Sequence, residues 1–230
     1  MSDPAQTLGF LLFDGFPMAC LTSAIEPLRA ANEIIGRREF GWKLIGESAT
    51  PVRSSADVRF DPDVTLAQVQ GLDSLFLLAA PGSPFLDPRG TAARLRWLER
   101  RGLTLGAFSG GLFLLCRAGL MQRHRASVHW CPDAAFAAEF PDIAASDTVI
   151  TRDRRRLTAA GAGAVFDLML WLIEDRLGPA VMTEVACWFQ HPTIRDDAVP
   201  QKTPVPRTDS TTDMLPAAVR PRSRGPSAMR

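Results

Sequence analysis

The sequence predicts an α/β fold with a mostly parallel sheet covered by helices on both faces. Three observations carry this. The continuous apolar runs "LGFLLF" (8–13) and "LDSLFLLAA" (72–80) suit strands buried on both sides. Each stops abruptly in turn residues, Asp14-Gly15 and Pro81-Gly82-Ser83-Pro84. Between such runs the spacing changes to that of helices, and strands alternating with helices build parallel sheets.

Taken in order, residues 18–35 place Leu21, Ile25, Leu28, Ala31 and Ile35 on one helical face. "FGWKLIGES" (40–48) alternates in part and reads as the next strand, and 50–70 reads as shorter strands and turns around Pro51 and Pro62. After the strand at 72–80 a helix is expected over 88–101, then a buried strand over 103–108. A helical pattern starts at Leu112. "RASVHW" (125–130) alternates like a strand, and 132–140 reads as a helix. Two short strands should flank the basic turn Arg152–Arg156. A long amphipathic helix within "LTAAGAGAVFDLMLWLIEDRLG" and another over 178–190 complete the domain.

The chain has 230 residues, enough for one sizeable core. With 46% hydrophobic residues and a net charge of +1, no overall field points to nucleic acid or membrane. The charge is uneven, since residues 202–230 hold six basic and two acidic side chains. From residue 192 the sequence turns rich in Pro, Arg, Ser and Thr and reads as a linker or disordered basic tail (192–230) after a domain at 7–191. Cys20, Cys116, Cys131 and Cys187 form no CxxC and are expected to be buried thiols, with no metal or cofactor site. The N-terminus lacks a basic leader and no apolar run reaches about 18 residues, so a cytoplasmic protein without membrane contact is expected.

Ligand chemistry in such sheets gathers at the carboxyl ends of the strands. There "GAFSGG" places Ser109 between a strand and a helix, a near match to the G-x-S-x-G elbow with Ala107 at the first glycine. Gly110 and Gly111 should permit the tight turn and close approach. The Gly110 N–H and a donor near Gly82 could form an oxyanion hole. A serine nucleophile needs a base, and His129, beside Trp130 at an apparent strand end, is the best of three histidines. His124 and His191 are expected to be exposed. Asp133 and Glu26 are both open as an orienting acid.

The motifs "GFLLFDGFPMACLTSAIEPLRAAN", "LLAAPGS", "GAFSGGLFLLCRAGLMQRHRASVHW", "EFPD" and "LTAAGAGAVFDLMLWLIEDRLG" occur in order. Together they resemble the N-terminal domain of GlxA-type regulators of the AraC family, over residues 7 to about 200. The resemblance implies a flavodoxin-like three-layer sandwich, similar to class I glutamine amidotransferases and PfpI-type proteases. In the enzymatic relatives the elbow residue is cysteine; here Ser109 takes that position and His129 the histidine position. Near the acid position stand Cys20 or Ser23, while Glu26 matches a different residue of the first-helix pattern.

A hydroxyl without an orienting acid is a poor nucleophile beside a thiol. The resemblance therefore implies a catalytically degenerate pocket that senses a small metabolite, an amino acid or a quaternary ammonium compound. Ser109, Gly110, Gly82, His129, Trp130 and Glu26 would contact the ligand, and the domain would form a homodimer. In the family, helix-turn-helix units that bind DNA follow; residues 203–230 show none, so truncation or a frameshift is expected. "RTDSTTDMLPAAVR" resembles the approach to those units and "PRSRGPSAMR" departs from it. The rivals are a Ser109/His129 hydrolase or amidase of a small amide or ester, and a partner forming mixed dimers with a full-length regulator.

Overall fold

A computed structural model describes residues 5–191, 193–196 and 198–204. The elements run β1 (Gln6–Leu12), α1 (Met18–Ile34), β2 (Phe40–Gly46), then three two-residue strands, β3 (Val52–Arg53), β4 (Arg59–Phe60) and β5 (Val64–Thr65). There follow β6 (Ser74–Ala79), α2 (Pro88–Arg100), β7 (Thr104–Ser109), α3 (Gly111–Arg117), β8 (Arg125–Ser127) and α4 (Asp133–Glu139). The last are β9 (Ala144–Ser146), β10 (Ile150–Asp153), β11 (Arg156–Ala159), α5 (Ala162–Leu177) and α6 (Pro179–Trp188).

Seven strands form the main sheet in the order β10-β11-β7-β6-β1-β2-β5. All its pairings are parallel except β10 with β11. The sheet residues divide by alternation. Leu8, Phe10, Leu12, Phe76, Leu78 and Phe108 face α1, α5 and α6, while Leu11, Leu75, Leu77, Leu105 and Ala107 face α2, α3 and α4. The outcome is the predicted three-layer sandwich. Continuous apolar runs were needed because both faces are covered.

Across the middle strands the rings of Phe10 and Phe76 stack at 6.0 Å, and those of Phe76 and Phe108 at 4.7 Å. Buried charges are fully engaged. Arg156 donates to the Leu120 carbonyl at 2.8 Å and to Glu99 at 3.1 Å. Asp167 accepts from His191 Nε2 and from Arg195 Nε, each at 2.7 Å. Among the described residues no buried side-chain polar atom lacks a partner. No described helix is long and apolar enough to cross a membrane.

Several local expectations change. The strand read over 125–130 ends at Ser127, because β8 pairs only with the short β9, itself unforeseen. Cys20 and Cys116 are buried, but Cys131 and Cys187 are exposed on a loop and on the outer side of α6. His124 and His191 are not exposed; each is half-buried and bonded to a carboxylate, Asp153 at 3.2 Å and Asp167 at 2.7 Å. Beyond residue 191 the chain still lies on the domain, where Val149 N–H donates to the Val199 carbonyl at 2.8 Å. The expected tail from residue 205 onward lies outside the described residues.

Phe76 lies at the centre of the ring stack and is fully buried. Phe76→Ala should lower stability by about 3–5 kcal/mol, read as a fall in the denaturation midpoint with an unchanged slope.

Candidate functional site

β7 and α3 meet at Ser109, where the backbone is strained. Ser109 has φ +52°, in the left-handed region that residues with a Cβ seldom occupy. Of the two roles expected of Gly110 and Gly111, the turn and close approach, the structure gives them the second; Gly110 is right-handed, with φ −65°. The glycines serve close approach. A Cβ on Gly110 would strike the backbone of Ala80 and Pro81, and one on Gly111 the carbonyl of Leu77. Strain of this kind persists only where the surroundings over-determine it, and it holds the Ser109 side chain out at the strand end.

The sheet register sets what surrounds Ser109. β6 ends with Ala79 beside Ser109, and β11 ends with Ala159 beside Phe108. On one side lies the turn containing Gly82, closed by Ser83 N–H to the Ala80 carbonyl at 3.1 Å. Gly110 and the Gly82 turn are thus brought together. On the other side lies the Ala160-Gly161 turn that opens α5. His129 stands over it, its ring atoms Cδ2 and Nε2 at 3.6 and 4.0 Å from where a Gly161 Cβ would be.

His129 sits in the loop two residues beyond β8, and its Nδ1 accepts the Cys131 N–H at 3.2 Å. In a neutral ring that places the hydrogen on Nε2. Burial pushes the His129 pKa below its ordinary value, so the ring is neutral at pH 7. Its outward nitrogen is then a donor. A general base must instead offer a lone pair to the hydroxyl it activates.

No group enforces the other tautomer. Among the described residues no carboxylate bonds to His129, and Ser109 bonds to no side chain. Asp133 is exposed at the start of α4. The Glu26 carboxylate is held by Arg29 at 3.0 Å, with the guanidinium 6.0 Å from the Trp188 ring, on the α1–α6 side of the molecule. Cys20 is buried and its thiol is pushed up to about 12 by desolvation.

Trp130 is 42% exposed, with its ring 5.5 Å from that of His129. Its main-chain N–H donates to Gln201 Oε1 at 3.0 Å, and Gln201 Nε2 donates to the carbonyls of Val128 at 2.6 Å and Thr148 at 3.2 Å. A cavity of about 330 Å³ opens here, lined by His129, Trp130, Gly161, Arg195, Gln201 and Lys202 among others. Sequence reasoning missed Gln201, Arg195 and Asp167. One signal was present: Asp167 is an isolated acid amid the apolar residues of "AGAVFDLMLWLI".

A mostly parallel sheet of this order, covered by helices on both faces and with its elbow at the end of β7, has the flavodoxin-like, class I glutamine amidotransferase-like fold. Solved structures share the fold. An AraC family transcriptional regulator from Pseudomonas putida superposes with a TM-score of 0.72 over 80% of this chain and 99% of its own, at 24% identity. A ThiJ/PfpI family protein from Pseudomonas syringae gives 0.67 over 83% and 76%, at 21% identity. No family model matches the chain.

Among curated proteins, the HTH-type transcriptional regulator GbdR of Pseudomonas aeruginosa is 32% identical over 200 residues, covering 87% of this chain and 54% of GbdR. GlxA of Rhizobium meliloti, likewise an HTH-type regulator, is 30% identical over 199 residues, 86% of this chain and 61% of GlxA. Over most of its length the chain is similar to HTH-type transcriptional regulators, GbdR and GlxA among them, and it has the fold of solved AraC family and ThiJ/PfpI proteins. It spans little more than half the length of these curated relatives.

Two outcomes follow. Ser109→Val, which adds a branched Cβ at a left-handed position, should cost about 1–3 kcal/mol by chemical denaturation, whereas Ser109→Gly should cost nothing. His129 and His124 both have folded pKa values lowered by burial, with Arg156 and Arg154 adding to the effect at His124. The unfolded chain then binds the extra protons, so their stabilising contribution is complete above about pH 6.5 and is lost as pH falls through the folded values. Proton NMR titration of the two rings should show midpoints below the ordinary histidine value.

Proposed function

We propose that this domain binds a small metabolite at the elbow end of the sheet, does not hydrolyse it, and serves as the sensor of a transcriptional regulator. The observation that carries this reading is the Cys131 N–H held on His129 Nδ1 at 3.2 Å, which in a neutral ring leaves the outward nitrogen to donate. Such a ring can hold an anionic or carbonyl oxygen, and it cannot take the Ser109 proton.

An amino acid or quaternary ammonium compound fits the groups present. Its carboxylate would meet the His129 Nε2–H, Lys202 and the leading amides of α5, a sixteen-residue helix. Its cationic end would lie against the exposed face of Trp130. Ser109, Gly110 and Gly82 would form the floor. Glu26 drops out, because Arg29 already holds it. On this reading the protein is a cytoplasmic homodimer, the sensor domain at 7–191 also holds the following segment to Lys202 against it, and operator recognition belongs to a helix-turn-helix unit outside that domain.

A thermal-shift screen of amino acids and quaternary ammonium compounds tests the reading. A ligand at a hundred times its Kd adds about 2.7 kcal/mol, roughly 5–10 °C in Tm for a domain of this size. His129→Ala should abolish that shift, and Ser109→Ala should weaken it only a few-fold. Fluorophosphonate labelling that disappears in Ser109→Ala, with turnover of an ester substrate, would instead make the protein a hydrolase.

A further inference from the structure

The end of the sheet opposite the elbow carries a second surface, built almost wholly of arginine. Arg100 and Arg101 close α2, Arg123 and Arg125 lead into β8, and Arg154 and Arg155 form the hairpin turn between β10 and β11; all six are exposed. They are contiguous. The Arg155 guanidinium lies 3.4 Å from where a Cβ on Gly102 would stand, next to Arg101. Arg154 reaches the Arg123 carbonyl at 2.7 Å, and Arg125 N–H and Arg154 meet on Asp153.

The nearby acids are already engaged. Glu99 is bound by the buried Arg156 at 3.1 Å and lies 3.9 Å from Arg155. Asp153 takes the Arg125 N–H at 2.9 Å and His124 at 3.2 Å, and Asp73 takes the Thr7 N–H at 2.7 Å. Arg100, Arg101, Arg123 and Arg125 have no carboxylate partner among the described residues. Beside them Trp97 is 40% exposed, with the guanidinium groups of Arg94 and Arg101 at 4.3 and 4.9 Å from its ring centre. It lines a concave cavity of about 680 Å³ with Asp73, Arg94 and Arg101.

Like charges gathered on one face oppose one another unless a counter-charge is supplied. The planar forks of arginine, arranged as a strip across three separate turns, match a row of phosphates better than a single small anion. We propose that this arginine face docks the phosphate backbone of duplex DNA without reading its sequence. The contact is independent of the metabolite site and of operator recognition, and it holds whichever ligand the other end of the sheet binds.

The test is fluorescence anisotropy with a labelled duplex of mixed sequence, using the full chain at low and rising salt. Binding should be present at about 25 mM salt and weaken steeply as salt rises, since each phosphate contact contributes close to one unit of logarithmic slope. The triple variant Arg101→Glu, Arg123→Glu and Arg155→Glu changes only exposed side chains and should keep the wild-type circular dichroism and Tm. Its DNA affinity should fall at least about tenfold, with the salt slope reduced by about three. Unchanged affinity in the variant would assign the binding to the basic residues after 201 and overturn the proposal. So would no binding by the wild type at low salt. Variant-sensitive binding to phosphatidylserine-rich vesicles, with none to DNA, would transfer the face to a membrane partner and equally overturn it.

Discussion

Much of this domain hangs on the contact between Gly111 and the carbonyl of Leu77. α3 begins so close to β6 that no Cβ fits between them. This fixes the spacing of β6 and β7 at their carboxyl ends and the angle at which α3 leaves the sheet. Leu112, Leu114 and Leu115 then reach the core on that face. With α3 pinned there, the link from β7 has one residue in which to turn, and Ser109 absorbs the turn as a left-handed conformation. A chain that needed only a binding surface could relieve the strain with glycine. Keeping a hydroxyl there places a polar side chain at the floor of the site, at an energetic cost met by packing elsewhere.

Two buried charges do for distant segments what Gly111 does locally. Arg156 starts β11 and joins it to α2 and to the end of the α3 turn through Glu99 and the Leu120 carbonyl. Asp167, inside α5, holds His191 and Arg195 and so fixes the chain after α6. Pairs of this kind add little net stability over apolar residues of equal size, yet they penalise every arrangement that leaves one partner alone. Their effect is to select one position for segments with weak apolar patterns.

The sequence shows the layers of the fold clearly, because strands covered on both faces must be apolar throughout, as in "LGFLLF" and "SLFLLA". It shows little of the short pieces. β8 and β9 have three residues each, and their pairing depends on where α3 and β10 put them. The elbow was visible as a pattern, but its strain was not, since the left-handed serine is imposed by β6 and not by local propensity. His129 was visible as a candidate base. The missing acid was legible as well, in Cys20 or Ser23 near the acid position; the tautomer was not, because it depends on the Cys131 amide folding back onto the ring. His191 looked like a tail residue because its partner, Asp167, lies 24 positions earlier.

The strand order has a consequence for how the chain is made. β1 is synthesised first and ends up inside the sheet, with β2 and β5 joining on one flank and β6, β7, β11 and β10 on the other. Up to β7 each new main-sheet strand is added to an edge that already exists; β10 is made before β11, which pairs between it and β7, so these two join the sheet as a hairpin. Such a sheet can grow outward from its first strand while the polypeptide is still emerging. Growth ends on β5 and β10, edge strands of two and four residues, which offer little length for pairing with another chain.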